Sequence, residues 1–144
     1  MATDYLLDTD ILSDLLKRTP STRLITKLAA IPPEHQFTSS ITLGELIYGA
    51  SRVRERGPLL LKRIEDNLLP NLPILPFDAV AARRYGELRA TLERQGILIG
   101  DADLRIAAIA LSRNLVIVTG NVRHFQRIAE AGGLVVENWL EERD

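Results

Sequence analysis

Apolar and polar positions along this chain fall into blocks whose period changes. Tyr5–Leu7 is a short apolar run that predicts a first strand. Beyond it Ile11, Leu12, Leu15 and Leu16 recur at helical spacing, so "DILSDLLKR" predicts a helix that Pro20 ends. "STRLITKLAAI" predicts a second helix from a Ser21 or Thr22 cap, stopped by Pro32-Pro33. "HQFTSS" reads as a second strand and "ITLGELIYGASRV" as a helix capped near Ser40 or Thr42. "RVRERGP" reads as a break, "LLLKRIEDNLL" as a helix, and "LPILPF" as a third strand bounded by prolines.

The second half is more regular. A long helix is expected from Asp78 to about Gln95, with Ala81, Tyr85, Leu88 and Leu92 forming one apolar stripe and Gly96 closing it. "DADLRIAAIALS" is almost wholly apolar after Asp103, apart from Arg105, and predicts a mostly buried helix. "LVIVT" is a continuous apolar run, the mark of a central parallel strand. "NVRHFQRIAEAGG" predicts a helix with a glycine stop, and "LVVENW" a last strand. Strands and helices alternate throughout. The expected fold is therefore α/β, a central mostly parallel sheet flanked by helices, in a single domain over residues 1–144.

Composition narrows the chemistry. Apolar residues make up 46% of the chain, enough for a sizeable core. With no cysteine, disulfides, zinc–thiolate sites and thiol catalysis are excluded. With only His35 and His124, a multi-histidine metal site is excluded too. A metal here must be held by oxygen, which favours magnesium or manganese. The formal charge of −1 lacks the basic excess common in nucleic-acid binders, but acids gathered in one place can cancel basic groups gathered in another. The N-terminus does not read as a secretory signal, and no apolar run approaches the roughly 20 residues a bilayer span needs. A cytoplasmic protein with no membrane partner is expected.

The carboxylates pose the functional question. Asp8, Asp10 and Asp14 follow the first strand, where they could cap a helix, hold a metal or supply a nucleophile. In open α/β sheets sites form beyond the carboxyl ends of strands. That rule selects Asp8 after "YLL", Glu45 in the first turns after "HQFTSS", Asp103 at the head of the buried helix, and Asn121 just after "LVIVT". Such carboxylates repel when brought together, and a hard divalent cation relieves the repulsion. Plainer readings stand beside this one. Thr42 and Glu45 spell a capping box, Asp103 suits a helix dipole, Asn121 can cap its helix, and Asp10 and Asp101 can cap theirs. Asp8 is harder to explain structurally, because a carboxylate ending a buried strand is costly without a partner.

"YLLDTDILSDLL", "TLGELIYGA", "IGDADLRIAAIAL", "VIVTGNVRHF" and "VVENW", in this order from Tyr5 to Trp139, resemble a PIN domain, more narrowly the VapC-type toxins of bacterial toxin–antitoxin pairs. The resemblance implies an endoribonuclease dependent on Mg2+, with Mn2+ possible, that hydrolyses RNA, transfer RNA being one family target. It places the family's acids on Asp8, Glu45 and Asp103, its fourth polar position on Asn121, and the metal on Asp8 and Asp103. Thr119 is the hydroxyl residue before Asn121, and Thr9, Asp10, Ser39 or Ser40, and Asp101 are candidates for supporting or substrate contacts. It also implies a VapB-type antitoxin and a homodimer; the apolar residues on early helices (Ile47, Tyr48, Leu59, Leu60) exceed what one small core needs and would serve the latter. The chain departs from the family pattern at Asp10, commonly Asn, at Gly120, commonly larger and polar, and in carrying Asp101.

Two alternatives are carried. "LLDTDIL" resembles the Asp-x-Asp opening of haloacid-dehalogenase-like phosphatases, with Asp8 as nucleophile and Asp10 as acid–base. That reading lacks the lysine expected before the late acidic motif and gives Glu45 and Asn121 no task. A catalytically inactive PIN-like binding module is the other, opposed by the presence of Asp8, Glu45 and Asp103 together. The basic residues Arg52, Arg54, Arg56, Lys62, Arg63, Arg83, Arg84, Arg89 and Arg94 read mostly as a solvated face, some of them able to line a groove for an RNA backbone.

Overall fold

The computed structural model describes residues 2–140. Five strands form one sheet: β1 (Tyr5–Leu7), β2 (Gln36–Ser39), β3 (Ile74–Leu75), β4 (Val116–Val118) and β5 (Val136–Glu137). Their order is β3-β2-β1-β4-β5 and every pairing is parallel. β1 is central, with Leu6 level with Phe37 on one side and Ile117 on the other. Because side chains alternate across a strand, neighbouring residues serve opposite faces. Leu6 and Ile117 point into one core, and Leu7 and Val118 into the other.

Among the described residues seven α-helices cover the two faces. The first core is closed by α5 (Ala79–Arg94), α6 (Asp101–Arg113) and α7 (Val122–Gly132). The predicted stripe holds: Ala81, Leu88 and Leu92 of α5 are buried there and Tyr85 packs against them. Ile106, Ala107, Ile109 and Ala110 bury α6, while Arg105 stays exposed. The second core lies under α1 (Thr9–Leu15), α2 (Thr22–Ala29), α3 (Ser40–Ser51) and α4 (Gly57–Arg63), with Trp139 packed among them.

Several boundaries differ from the sequence-based ones. "LLLKRIEDNLL" is not one helix: α4 starts earlier, at Gly57, and runs into a π-helical segment Ile64–Leu68 and a 3-10 turn Leu69–Asn71. Pro58 opens α4 instead of ending the break, since proline is tolerated in a first turn where its missing N–H is not needed. The third and last strands shrink to the two residues that pair. Ser39 caps α3 with its own side chain, accepting the Thr42 N–H at 3.0 Å, so neither Ser40 nor Thr42 is the cap.

The sheet's strand order reverses between β1 and β4. In such sheets the crevice beyond the carboxyl ends at the reversal is where a site forms. The last rung there is Asp8 N–H to Val118 O at 3.0 Å.

Candidate active site

Asp8 leaves the sheet at the end of β1 and Thr119 at the end of β4. Asp8 is 5% exposed and Thr119 is fully buried. The Thr119 hydroxyl donates toward Asp8 Oδ2 at 2.9 Å and toward Asp10 Oδ1 at 3.3 Å, and accepts the Asn121 N–H at 3.0 Å. One hydroxyl thus ties two strand ends and two acids together. Asp10 does not cap α1. Its Oδ2 instead accepts the Gly120 N–H at 2.7 Å.

Glu45 reaches the same place from α3. Because Ser39 caps that helix, Glu45 falls on its second turn and not in a capping box with Thr42, and its Oε1 accepts the Thr9 hydroxyl at 2.7 Å. Asp103 enters from the first turn of α6, and its Oδ2 lies 3.3 Å from His124 Nδ1 on α7. Asn121 occupies the cap position of α7, yet its side chain makes no capping hydrogen bond. Its amide is therefore not engaged by its own helix.

These residues share a cavity of about 1190 Å³, lined by Asp8, Thr9, Asp10, Glu45, Asp103 and Asn121 among others. Two expected supporting residues lie elsewhere. Ser40 does not line the cavity; its hydroxyl accepts the Phe77 N–H at 3.3 Å and joins α3 to the end of β3. Asp101 also lies outside it: Tyr85 donates its hydroxyl to Asp101, and Arg105 pairs with it at 2.9 Å. Asp101 does not cap α6, whose cap position is Gly100.

Two further residues line the cavity: His124, which the sequence reading gave no role here, and Asp14, which it named beside Asp8 and Asp10 without choosing a task for it. His124 stands three residues after Asn121, one turn along the helix face that opens at β4, and that spacing was the available signal. Asp14 lies four residues after Asp10 on α1 and is buried, accepting the Ser21 N–H at 2.8 Å and pairing with Lys17 at 3.1 Å. It pins the start of α2 to the end of α1 and so fixes one wall.

The electrostatics follow from the crowding. Burial pushes the Asp8 carboxyl up to about 6, with neighbouring Asp10 and Asp103 adding to the rise while the Thr9 N–H and Thr119 hydroxyl oppose it. Asp10 and Asp103 are also raised, chiefly by burial, with His124 pulling Asp103 back down. A cavity that holds its acids up in this way favours a positive charge among them. All the candidate donors are hard oxygens, the set that suits a small divalent cation. Among the described residues no three acidic or histidine side chains gather closely enough to enclose an ion by themselves.

The chain as a whole resembles known proteins. The sequence matches the PIN domain over residues 5–131. It is 37% identical over 137 residues to the tRNA(fMet)-specific endonuclease VapC of Shigella flexneri, spanning 94% of this chain and 97% of the relative. It is 38% identical over 138 residues to Ribonuclease VapC2 of Haemophilus influenzae, spanning 94% and 98%. Among solved structures, a chain of the DNA-bound VapBC of Salmonella typhimurium superposes with a TM-score of 0.85 at 34% identity, covering 96% of this chain and 99% of that one. A chain of Rickettsia felis VapBC2, bound to a DNA fragment from the promoter, gives 0.83 at 33% identity, covering 95% and 99%.

Proposed function

The chain belongs to the PIN domain family, among the VapC-type toxin ribonucleases of toxin–antitoxin pairs, and on that premise we propose that Asp8, Glu45, Asp103 and Asn121 form the site at which it hydrolyses RNA. The observation that carries the assignment is the buried Asp8 carboxyl, raised to about 6 at the strand-order reversal with Asp10 and Asp103 beside it. Family membership brings divalent-metal catalysis with it. Asp8 and Asp103, close enough for their charges to interact, would hold Mg2+, or Mn2+ in its place. When bound, such an ion lowers the pKa of a coordinated water and offsets charge on phosphoryl oxygens.

The chain's own residues have separable tasks. Thr119 holds Asp8 in one orientation through the 2.9 Å hydrogen bond. Thr9 fixes Glu45, which faces the cavity as an acceptor for a water proton. Asn121, neutral and free of capping, is placed to orient that water or a phosphate oxygen. The water oxygen bonds to phosphorus, the bond to the 3'-oxygen breaks, and that oxygen takes a proton. The products are a 5'-phosphate and a 3'-hydroxyl, with no part played by the neighbouring 2'-hydroxyl.

Transfer RNA is the proposed substrate class, supported by relatives named tRNA(fMet)-specific endonucleases in Shigella flexneri and Salmonella typhimurium. A VapB-type antitoxin is the proposed protein partner, supported by the VapBC complexes that the fold matches. A homodimer is proposed as well, with exposed Tyr48 and Leu59 available to it, whereas Ile47 and Leu60 pack against the second core, and the cytoplasm is the proposed place of action. Among the described residues no helix is long and apolar enough to cross a membrane. The phosphatase alternative leaves Glu45 idle in the cavity it lines, and the inactive-module alternative leaves three acids there without a task.

The test is incubation of the purified protein with transfer RNA and an unrelated transcript, with Mg2+ or Mn2+ and with a chelator, followed by end-group analysis. Metal-dependent fragments with 5'-phosphate and 3'-hydroxyl ends are expected. Cyclic-phosphate ends, or cleavage that persists in chelator, overturn the assignment.

A further inference from the structure

The first turn of α6 carries Asp103 and is weakly secured by its own helix. Its cap position is Gly100, which has no side chain to accept from the turn's N–H groups. Those groups have no partner within the helix, and a turn without a cap frays. The helix's first backbone bond is Leu104 N–H to Gly100 O, at 3.1 Å.

Asp101 opens this turn and is held from outside it. The Tyr85 hydroxyl of α5 donates to its carboxylate, and that hydroxyl accepts from Arg89 at 3.0 Å. Arg105, one turn further along α6, pairs with Asp101 at 2.9 Å. The Arg105 guanidinium lies over the rings of Phe77 and Tyr85, 5.6 and 5.8 Å from their centroids. The two rings meet edge to face at 5.7 Å and pack against the first core. The anchor is therefore rigid although the charges on it are half in water, with Asp101 53% and Arg105 44% exposed. Ion pairs that exposed add little to global stability, so the consequence of this one is local.

We propose that Asp101 is a positioning residue: held by Tyr85 and Arg105, it fixes the uncapped first turn of α6 and so presents Asp103 to the acidic cavity. The inference rests on the metal-dependent ribonuclease reading above. Residues two apart on a helix do not share a face. One carboxylate can thus be tied to α5 while the other lines the cavity, and the tie sets how the turn is rotated.

The test is Mn2+ binding to the intact protein, followed by the spin-resonance signal of the free ion, together with amide hydrogen exchange of the metal-free protein by NMR. Tyr85→Phe and Asp101→Ala are each expected to weaken Mn2+ binding about threefold to tenfold, the worth of one hydrogen bond. Asp101→Asn, which still accepts from Tyr85, should recover part of the loss. Arg105→Met should weaken binding too, although it removes a positive charge. In Tyr85→Phe and Asp101→Ala the Leu104 amide should exchange about threefold faster or more, while Ile109 in the middle of the helix keeps its wild-type rate. Wild-type Mn2+ affinity and Leu104 exchange in both variants overturn the proposal. Equal acceleration at Leu104 and Ile109 also overturns it, because that is a loss of global stability. So does tighter binding in Arg105→Met with Tyr85→Phe unchanged, which makes Asp101 a remote charge only. A wild type that takes up no Mn2+ is a separate failure, that of the metal reading, and the exchange rates then still decide the tie.

Discussion

Asp10 Oδ2 accepts the Gly120 N–H at 2.7 Å, and a Cβ at position 120 would stand 2.7 Å from that same oxygen. Two departures from the family pattern, the acid at 10 and the glycine at 120, are thus one arrangement. The carboxylate fits only because the neighbouring residue has no side chain. Leu140 Cδ1 closes on the same point at 2.5 Å, but it is the end of a flexible chain and can turn away. Asp10 can move only by giving up its bonds to Gly120 and Thr119.

Gly120→Ala is therefore expected to destabilise the protein by about 1–3 kcal/mol, the usual cost of overpacking. In an Asp10→Ala background the same substitution should cost about 1 kcal/mol less, since the oxygen it crowds is gone. Urea unfolding of the four proteins in the cycle measures this. Additive effects would contradict the coupling.

Stability should also depend on pH through Asp8. Its folded-state pKa, about 6, lies above the ordinary value of 3.8, so its charged form disfavours the folded state. Without divalent ions, this residue's contribution falls as pH rises from about 4 to about 6 and stays low above that. Asp8→Asn removes the term. It should be more stable than wild type at pH 7.5, by on the order of 2–3 kcal/mol, with the difference closing near pH 4. Added Mg2+ should stabilise wild type more than Asp8→Asn. Denaturant midpoints in chelator at the two pH values are the check, and equal stability at pH 7.5 is the contrary result.

Thr9→Val tests whether Glu45 must be held. The hydroxyl it removes is the donor 2.7 Å from Glu45 Oε1. Stability should change by less than about 0.5 kcal/mol, as for a substitution outside the core. The cleavage rate constant should fall about three- to tenfold, and Thr9→Ser should restore it. A Thr9→Val protein with the wild-type rate would show that Glu45 works unheld.

Asp14→Ala leaves the Ser21 N–H and the Lys17 ammonium without their shared acceptor. Losing a buried, charge-assisted hydrogen bond is expected to cost about 2 kcal/mol, and Asp14→Asn less, because its amide oxygen can still accept from Ser21. Urea unfolding of both variants decides it. A change in Asp14→Ala below about 0.5 kcal/mol would contradict the clamp.

The long, strongly patterned elements were legible in the sequence. The stripe on α5 and the near-continuous apolar face of α6 each admit one period, and the run at β4 is too short and too apolar for anything but a buried strand. The segment after Arg63 was not legible. Ile64 must reach the second core while the chain turns toward Pro70, and the helix widens to a π-turn to do so, a tertiary demand that local pattern does not record. The candidate site follows the same division. Asp8, Glu45, Asp103 and Asn121 could be found from their places after strands. The hydrogen bonds that sort Thr119, Ser40 and Asp101 depend on contacts such as Phe77 to Ser40, which join segments 37 residues apart. The pairing of Asp10 with Gly120, across 110 residues, is of the same kind.

On the proposed function, hydrolysis of RNA requires the Asp8 carboxylate together with a divalent ion. The most direct measurement is cleavage of transfer RNA by wild type and by Asp8→Asn, each with Mg2+ and with excess chelator. Wild type should cleave with Mg2+ and not in chelator, and Asp8→Asn, a nearly isosteric change that leaves the fold in place, should lose about a hundredfold or more. Cleavage by Asp8→Asn at the wild-type rate in excess chelator would contradict it.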